Sequence, residues 1–418
     1  MGRRYRKLGS ALASAAVVLA GVGVVGAGQG AAGAASVRGV TAKTIKVDIL
    51  ATLTGPQGPP FPGLVTGAKA RINAQNKAGG VAGRKIVIVN TLDDAGSATT
   101  NAQQVRAAVQ QDGVFAMLAT SNAFGVQSTN FLSANKVPFL GWGYVPGYCN
   151  NPWGYGFSGC LTGQYTNGTA IVTQVAKADG GKKVTQVTWG FQSANTQAST
   201  DGMLTTVNAV KALKGKVVYQ DSSIPGTGST TDYSPYVSRL MAAHPDIAYM
   251  AQNFADVIGM TAALKAAGFT GPVANATTYV PGLLAAQAST AQALQGAYVA
   301  SVFPPQEGGG AAIKAMQTQL KAIGKPATIS LGDQVGYWSA DMLIAMLKKV
   351  GKNLTPATFN KTINKGWTYT PALSGSIGAV KWPASHKSTV SCAAILIVKG
   401  TAYTPKVPYG CYPSIPSK

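Results

Sequence analysis

Short runs of β-branched residues alternate along the chain with longer stretches whose apolar positions recur every three or four residues. Alternation at Ile45, Val47 and Ile49 predicts a strand. Leu64, Ala68 and Ile72 share one face of a helix predicted over 64–76. The pattern predicts further strands over 85–90, 114–119 and 137–141, and helices over 98–111 and 126–135. Strands that alternate with helices are typical of parallel βαβ units.

The alternation stops at 144–161, a segment rich in proline and aromatic residues, and then restarts. Predicted strands cover 184–189, 216–219, 247–250, 272–276, 298–303, 376–380 and 392–398, and predicted helices cover 200–213, 235–243, 254–267, 311–323, 332–350 and 356–364. We therefore expect an α/β fold with two doubly wound parallel-sheet lobes joined by a hinge. Because such sheets bind ligands beyond the carboxyl ends of their strands, two lobes face to face form a clamp.

The N-terminus has the charge order of an export signal. Arg3, Arg4, Arg6 and Lys7 precede an apolar stretch, and the small residues Gly33, Ala34 and Ala35 follow it. We expect residues 1–35 to be a signal peptide and the protein to be exported. A membrane anchor is the alternative, although the stretch is rich in Gly and Ala. The cleavage site, and the choice between the general and the twin-arginine export route, stay open.

Charge and cysteine content restrict the function classes. The formal charge of +22 reflects scarce acids, since Glu307 is the only glutamate. Lysines are scattered rather than clustered beside aromatic residues, which argues against nucleic-acid binding and favours a basic surface near an anionic envelope. No cysteine lies near the leader, so a lipid anchor is not expected.

Four cysteines indicate an oxidising compartment. They allow three pairings, and the spacing favours Cys149 with Cys160 and Cys392 with Cys411, because each pair brackets a turn-rich stretch. A zinc site is not expected, since the cysteines lack short spacing and neither histidine lies nearby.

No catalytic motif is found in a suitable context. The glycine motif at 21–26 lies inside the leader, and phosphate-binding and nucleophile-elbow motifs are lacking in the sequence. The pair Asp93 and Asp94 follows a strand, where capping a turn or helix explains it. We therefore expect a binding protein without a cofactor or metal, not an enzyme.

Small polar and aromatic residues recur just after predicted strand ends. Thr120, Ser121 and Asn122 follow one strand and could hold an anionic group, although a helix cap is an equally good explanation. Trp142, Gly143 and Tyr144 follow the next strand. In the second lobe the corresponding positions are 191–195, Asn253, Phe254, Thr277, Thr278 and Tyr279, for which packing against the next helix is the alternative.

An ordered series of motifs resembles the Leu/Ile/Val-binding family of ABC-importer solute-binding proteins. It comprises the Leu-Thr-Gly-Pro turn at 53–56, a helix, the Gly-Gly-Val-Ala-Gly turn at 79–83, a strand, and Asp93-Asp94. The resemblance covers most of residues 40–400. It implies a type I periplasmic-binding fold, with one lobe at 40–163 plus 300–370 and the other at 164–299 plus 371–418.

The resemblance also implies roles for individual residues. Thr120, Ser121 and Asn122 match the loop that grips a ligand carboxylate, Trp142 to Tyr144 lie near a second anion-binding turn, and Phe254 lies near an aromatic contact. Thr277 lies close to where amino-acid-binding members place an acid for the ligand ammonium, which weakens the case for an amino-acid ligand. Asp256 is the nearest substitute, and capping explains it.

The leading hypothesis is a monomeric receptor that captures an amino acid or a small organic carboxylate, aromatic acids included, and delivers it to an ABC permease in the membrane. A ligand sensor that reports to a membrane signalling protein uses the same clamp and remains the alternative.

Overall fold

The structure is a computed structural model that describes residues 36–54, 61–162, 165–226 and 230–417. Residues Val37–Lys418 form one compact unit. The predicted signal peptide, and the Gly55-Pro56 part of the turn at 53–56, lie outside the described residues. Within the described ranges, no helix combines the length and apolar character that a membrane span requires.

The strands and helices are numbered in chain order. The strands are β1 (Thr44–Ala51), β2 (Lys85–Asp93), β3 (Ala116–Thr120), β4 (Phe139–Gly141), β5 (Gly154–Gly156), β6 (Thr166–Gly168), β7 (Thr188–Ala194), β8 (Lys216–Ile224), β9 (Ile247–Ala251), β10 (Val273–Asn275), β11 (Tyr298–Ser301), β12 (Thr368–Tyr369), β13 (Val380–Lys381), β14 (Ser391–Lys399), β15 (Ala402–Tyr412) and β16 (Ser414–Pro416). The helices are α1 (Leu64–Lys77), α2 (Ala98–Gln110), α3 (Val126–Ala134), α4 (Ala170–Ala178), α5 (Gln197–Ala212), α6 (Ser234–Ala242), α7 (Phe254–Ala266), α8 (Leu283–Ala286), α9 (Ala288–Ala293), α10 (Ala311–Lys321), α11 (Leu331–Val350) and α12 (Pro356–Ile363).

The first sheet has the order β2-β1-β3-β4-β5, and its neighbouring strands are parallel. Strand β1, which lies between β2 and β3, is covered on both faces. Ile45, Val47 and Ile49 pack in the core formed with α1 and α11, and Leu50 packs in the core on the opposite side. Ala51 lies beside Asp93 on one side and beside Thr120 on the other. The carboxyl ends of the three strands are therefore level, as a shared binding edge requires.

Helices α1 and α11 pack closely because glycines face each other across their contact. A Cβ atom on Gly67 would lie 2.0 Å from the carbonyl oxygen of Asp333, and one on Gly336 would lie 1.8 Å from that of Leu64. Both neighbours are backbone atoms, so the helices could approach this closely only with glycine at these positions.

The second sheet has the order β15-β14-β11-β10-β9-β7-β8. Strands β7 to β11 are mutually parallel, whereas β14 and β15 join as an antiparallel edge. The sequence pattern did not predict β15, and the strand expected over 376–380 is reduced to β13. Strand β15 contains Pro405 and Pro408, which weaken the strand signal but are tolerated at a sheet edge.

The chain passes from the second sheet at β11 to α10, α11 and α12, which pack in the first core, and returns to the second sheet at β14. Ile377, Val380 and Trp382 still belong to the first core. The lobe change expected at 370–371 thus precedes this segment, and the division of the chain into lobes stays a prediction. The expected α/β architecture of two doubly wound sheets is confirmed.

Two disulfides join Cys149 to Cys160 and Cys392 to Cys411, which is the pairing that the spacing favours. The first links the end of a turn after β4 to the segment after β5. The second lies between the paired strands β14 and β15, where Cys392 and Cys411 are register partners. Each disulfide therefore staples a local loop.

Candidate functional site

The carboxyl edge of the first sheet carries a buried chain of hydrogen bonds. Thr52 donates from Oγ1 to Asp94 Oδ1 at 2.6 Å and lies 3.0 Å from Ser121 Oγ. Asn101 donates to Asp94 Oδ2 at 2.7 Å, and Ala123 donates its N–H to Ser121 Oγ at 2.9 Å. Asp94 is fully buried, so these donors satisfy the carboxylate inside the protein.

Asp93 has a structural role in the neighbouring turn. Burial alone would raise the pKa of Asp93, but hydrogen bonds from the Thr54 hydroxyl and from the N–H groups of Leu53, Ala95 and Thr54 lower it below its usual value. The structural role expected for the acid pair is confirmed by these contacts. Neither carboxylate is left free for catalysis or for a ligand ammonium.

Thr120, Ser121 and Asn122 lie at the end of β3 with different exposures. Thr120 and Ser121 are buried, whereas Asn122 is exposed and accepts a 2.8 Å hydrogen bond from the Tyr144 hydroxyl. The structure therefore brings the polar loop after β3 into direct contact with the loop after β4, as expected for neighbouring strands.

An aromatic group lies beside this polar loop. The rings of Phe61, Trp142 and Tyr144 are mutually 5.4 to 5.8 Å apart, and Phe303 lies 5.1 Å from Trp142. The indole Nε1 of Trp142 is buried, and among the described residues it has no acceptor. Burial and the nearby charge of Asp94 raise the pKa of Tyr144, so its hydroxyl remains a hydrogen-bond donor.

Gly143 faces backbone rather than open space. Its φ is +91°, and a Cβ atom would lie 2.1 Å from the carbonyl oxygen of Gly159. Leu161 also donates its N–H to the carbonyl of Gly143 at 3.0 Å. Gly143 therefore attaches the loop after β4 to the disulfide-bonded segment, which holds Trp142 and Tyr144 in place.

The second sheet presents Phe254 and Thr277 at the carboxyl ends of β9 and β10. Phe254 begins α7 and is half-buried, and Thr277 is exposed. Thr277 donates its N–H to Asn275 Oδ1 at 3.0 Å and its hydroxyl to the Gln252 carbonyl at 3.3 Å. Among the described residues, no hydrogen bond or ring contact joins these two residues to the polar and aromatic groups of the first sheet.

Asp256 is committed to internal contacts. It is fully buried, accepts a 2.8 Å hydrogen bond from the Tyr233 hydroxyl, and is also bonded by the side-chain amide of Asn253. Asn253 in turn caps α7 by accepting the N–H of Asp256. The cap of α7 is thus Asn253 and not Asp256, whose two carboxylate oxygens already have side-chain donors.

Tyr279 lies away from open solvent, with 4% of its surface exposed. Its hydroxyl donates to Glu307 Oε2 at 2.6 Å and accepts the N–H of Gln306 at 3.0 Å. Burial and the Glu307 carboxylate raise the pKa of Tyr279 well above its ordinary value, so the phenol stays protonated. Its hydroxyl has both of its strong partners within the protein.

A cavity of about 260 Å³ opens at the carboxyl ends of β9 and β10. It is lined by Ser199, Gly202, Tyr249, Met250, Ala251, Gln252, Ala276 and Thr277. Gln252 was not selected from the sequence, although it directly follows β9, which is the signal that selected its neighbours. Over the described residues no cluster of His, Cys, Asp or Glu could hold a metal ion.

A family model described as periplasmic binding protein matches residues 44–402. The chain belongs to the periplasmic binding protein family. This match, together with solved leucine- and isoleucine-binding proteins of the same fold, confirms the resemblance to the Leu/Ile/Val-binding family. The members compared are solute-binding proteins, which confirms that this periplasmic binding protein is not an enzyme.

Three solved structures show the range of ligands on this fold. A leucine-binding protein from Thermotoga maritima is 16% identical, covers 89% of this chain and 98% of its own, and has a TM-score of 0.63. A solute-binding protein from R. palustris in complex with 4-hydroxybenzoate is 14% identical, with coverage of 88% and 97% and a TM-score of 0.65. A fatty acid ABC transporter substrate-binding protein from Thermomonospora curvata is 17% identical, with coverage of 89% and 94% and a TM-score of 0.66.

At these identities the likeness establishes the shared fold, the type I periplasmic-binding fold that the motifs imply. No curated protein sequence matches this periplasmic binding protein.

Proposed function

We propose that this protein is the exported receptor of an ABC importer and that it captures a small organic carboxylate between its two lobes. The observation that carries the proposal is the buried indole N–H of Trp142, which has no acceptor among the described residues and lies within the aromatic group beside Asn122. A buried donor without a partner is costly, and a ligand carboxylate would supply the missing acceptor.

The first lobe offers further groups for a carboxylate. The buried Thr120 lies at the end of β3, whereas Ser121 gives its hydroxyl proton to Thr52 Oγ1 and accepts the N–H of Ala123. Asp93 and Asp94 are bonded to internal donors, so neither carboxylate takes up the free N–H of Trp142. Phe61, Trp142 and Tyr144 provide an apolar wall for the ligand body.

The second lobe disfavours an α-amino acid. An ammonium group buried in the cleft needs a carboxylate partner, and Asp256 is already bonded to Tyr233 and Asn253. Thr277 supplies a hydroxyl rather than a charge. We therefore favour an aromatic or aliphatic acid that lacks an ammonium group.

Delivery follows from the two-lobed fold. Ligand contacts on both sheets would favour the closed state, and only the closed state would present both lobes to the permease at the required spacing. We propose that the mature protein acts as a monomer in the periplasm or cell envelope. It carries no lipid anchor in this proposal, because its cysteines are paired in two disulfides.

Calorimetry and thermal-shift measurements on residues 36–418 test the proposal, with leucine, isoleucine, benzoate, 4-hydroxybenzoate and hexanoate as probes. At a ligand concentration of about 100 times Kd, binding should add about 2.7 kcal/mol to the free energy of unfolding. Thr120→Val should weaken binding about tenfold. Thr205→Val, at a half-buried position on α5, is the matched control and should bind normally. Failure of every probe to stabilise the protein would contradict the proposal.

A further inference from the structure

Gln252 lies at the carboxyl end of β9 and lines the cavity of about 260 Å³ described above. Only 4% of its surface is exposed. Its backbone carbonyl accepts the hydroxyl of Thr277 from the neighbouring strand end, so the main chain at this point is held in place. The carboxamide therefore projects from a fixed position at the edge where ligands bind in this class of sheet.

The carboxamide of Gln252 lacks strong partners. Its Oε1 is buried and has no donor among the described residues, and its Nε2 has only the thioether of Met250, at 3.8 Å. Leaving a buried amide in this state costs about 1–3 kcal/mol.

Another buried glutamine in the same chain shows the usual arrangement. Gln174 donates to the carbonyls of Ala393 and Pro408 at 3.0 and 2.9 Å and accepts from the Tyr412 hydroxyl at 3.2 Å. The unmatched amide of Gln252 is thus not a general property of this interior. It points to a partner that comes from outside the chain.

A second unmatched group lies on the adjacent strand. Asn275 is fully buried, and its Oδ1 accepts the N–H groups of Thr277 and Thr278. Its Nδ2 has no acceptor among the described residues. Because Asn275 and Met250 are register partners, this free donor and the free acceptor of Gln252 belong to neighbouring strand ends.

We infer that Gln252 recognises an uncharged group of the ligand that carries a polar hydrogen, a hydroxyl above all, at the second lobe. A hydroxyl donates to the free Gln252 oxygen and accepts from a free amide N–H, which matches both unmet needs. A carboxylate has no proton to give to Gln252, and an ammonium would lack a negative partner because Asp256 is occupied.

This inference rests on the proposed function and adds the ligand class: a hydroxylated carboxylic acid. A site with buried polar groups that pair only with a ligand hydroxyl binds the deoxy analogue weakly, because those groups are left unpaired when the analogue is bound. We expect the hydroxy acid to bind about 10 to 100 times more tightly than its deoxy analogue.

Two matched pairs of acids test this by calorimetry: 4-hydroxybenzoate against benzoate, and 2-hydroxy-4-methylpentanoate against 4-methylpentanoate. In at least one pair, the wild-type protein should prefer the hydroxy acid by the stated factor. Gln252→Met should reduce that preference to about threefold or less by weakening the hydroxy acid alone. The control Gln174→Met removes a fully bonded buried amide and should lower the unfolding temperature while leaving the preference intact.

Two readouts keep the outcomes distinct. Unfolding of the ligand-free Gln252→Met variant should occur at the wild-type temperature or above, because no strong hydrogen bond is lost. The inference would be overturned if acids bound the wild type without any preference for the hydroxyl, or if the Gln252→Met variant kept the preference. Either result would leave the proposed function standing. Absence of binding by every acid, including the panel above, would overturn both.

Discussion

Tyr279 donates its phenolic proton to Glu307, with 2.6 Å between the two oxygens. Tyr279 follows β10 of the second sheet, and Glu307 lies in the segment that leads from β11 to α10. Tyr403 packs against Tyr279 with ring centroids 5.2 Å apart. The Tyr279–Glu307 hydrogen bond thus ties the segment between β11 and α10, where the chain crosses to the first core, to the end of β10. It uses the only glutamate in the sequence.

Tyr279→Phe should destabilise the protein by about 1–3 kcal/mol, because Glu307 loses a buried donor and the N–H of Gln306 loses its acceptor. Thermal unfolding measures the change. Tyr236→Phe is the control, because its half-buried ring lies under Arg239 and has no comparable carboxylate contact in the part of the chain that the structure describes. Equal unfolding temperatures for the two variants would show that the Tyr279 contact does not stabilise the crossover.

Asp48 should make the protein less stable as pH rises. Burial raises the pKa of Asp48 to about 7, which outweighs the hydrogen bond from the Asn90 N–H, and Asp112 raises it further. Between its ordinary value of 3.8 and about 7, the folded state holds a proton that the unfolded chain releases. The free energy of unfolding therefore falls through this window as pH increases.

Asp48→Asn should remove that dependence. The variant should gain about 2–4 kcal/mol over wild type near pH 8 and little below about pH 4. Urea unfolding at both pH values gives the comparison, and the low-pH pair serves as the internal control. A variant that is less stable than wild type at the higher pH would contradict this, because it would show that the ionised Asp48 stabilises the folded state there.

His386 should have the opposite effect. Its ring centroid lies 4.6 Å from that of Trp382 with the two rings tilted, and its Nε2 lies 2.7 Å from Asn364 Oδ1. Burial lowers the pKa of His386 from 6.5 to about 4, against a raising contribution from the Gly154 backbone. Between these values only the unfolded chain takes up a proton, so the stability that neutral His386 contributes is lost as pH falls from 6.5 to about 4.

His386→Gln should reduce the loss of stability in acid relative to wild type, whatever its cost at neutral pH. His244→Gln, at the other, exposed histidine, is the matched control. Wild-type stability should vary little across the shared window because Asp48 and His386 act in opposite directions. The two single variants should separate the slopes, and parallel profiles for all proteins would contradict both assignments.

Gly336→Ala should destabilise the protein by about 3 kcal/mol or more, since its Cβ atom would lie 1.8 Å from the Leu64 carbonyl oxygen. Gly202→Ala is the matched control within a helix, where an added Cβ meets nothing within 4 Å. It should gain about 1 kcal/mol from helix propensity. A tolerated Gly336→Ala would mean that α1 and α11 separate easily.

Periodicity predicted most of both sheets because a strand buried on two faces needs β-branched or apolar residues, as Ile45, Val47 and Ile49 show in β1. It failed at β15, where one partner strand and solvent exposure permit Pro405 and Pro408. The spacing of the cysteines likewise favoured the observed pairing, because each disulfide closes a short segment of the chain.

The candidate site was predictable as a set of strand ends, since parallel strands bring their carboxyl ends to one edge. The hydrogen-bond partners of each side chain were not predictable from the sequence. Ser121 contacts Thr52, Asp256 contacts Tyr233, and Tyr279 contacts Glu307, pairs that lie 69, 23 and 28 positions apart. Such contacts depend on how separate elements pack, and no local pattern encodes them.

By itself, the sequence determined the two-lobed α/β class, the non-catalytic character and the family, because periodicity, composition and ordered turns are local properties. Only the tertiary structure decided which polar groups are already paired and which, such as those of Trp142 and Gln252, are left without partners. The physical reason is that hydrogen-bond satisfaction depends on atoms supplied by distant segments, and burial makes each unmatched group costly.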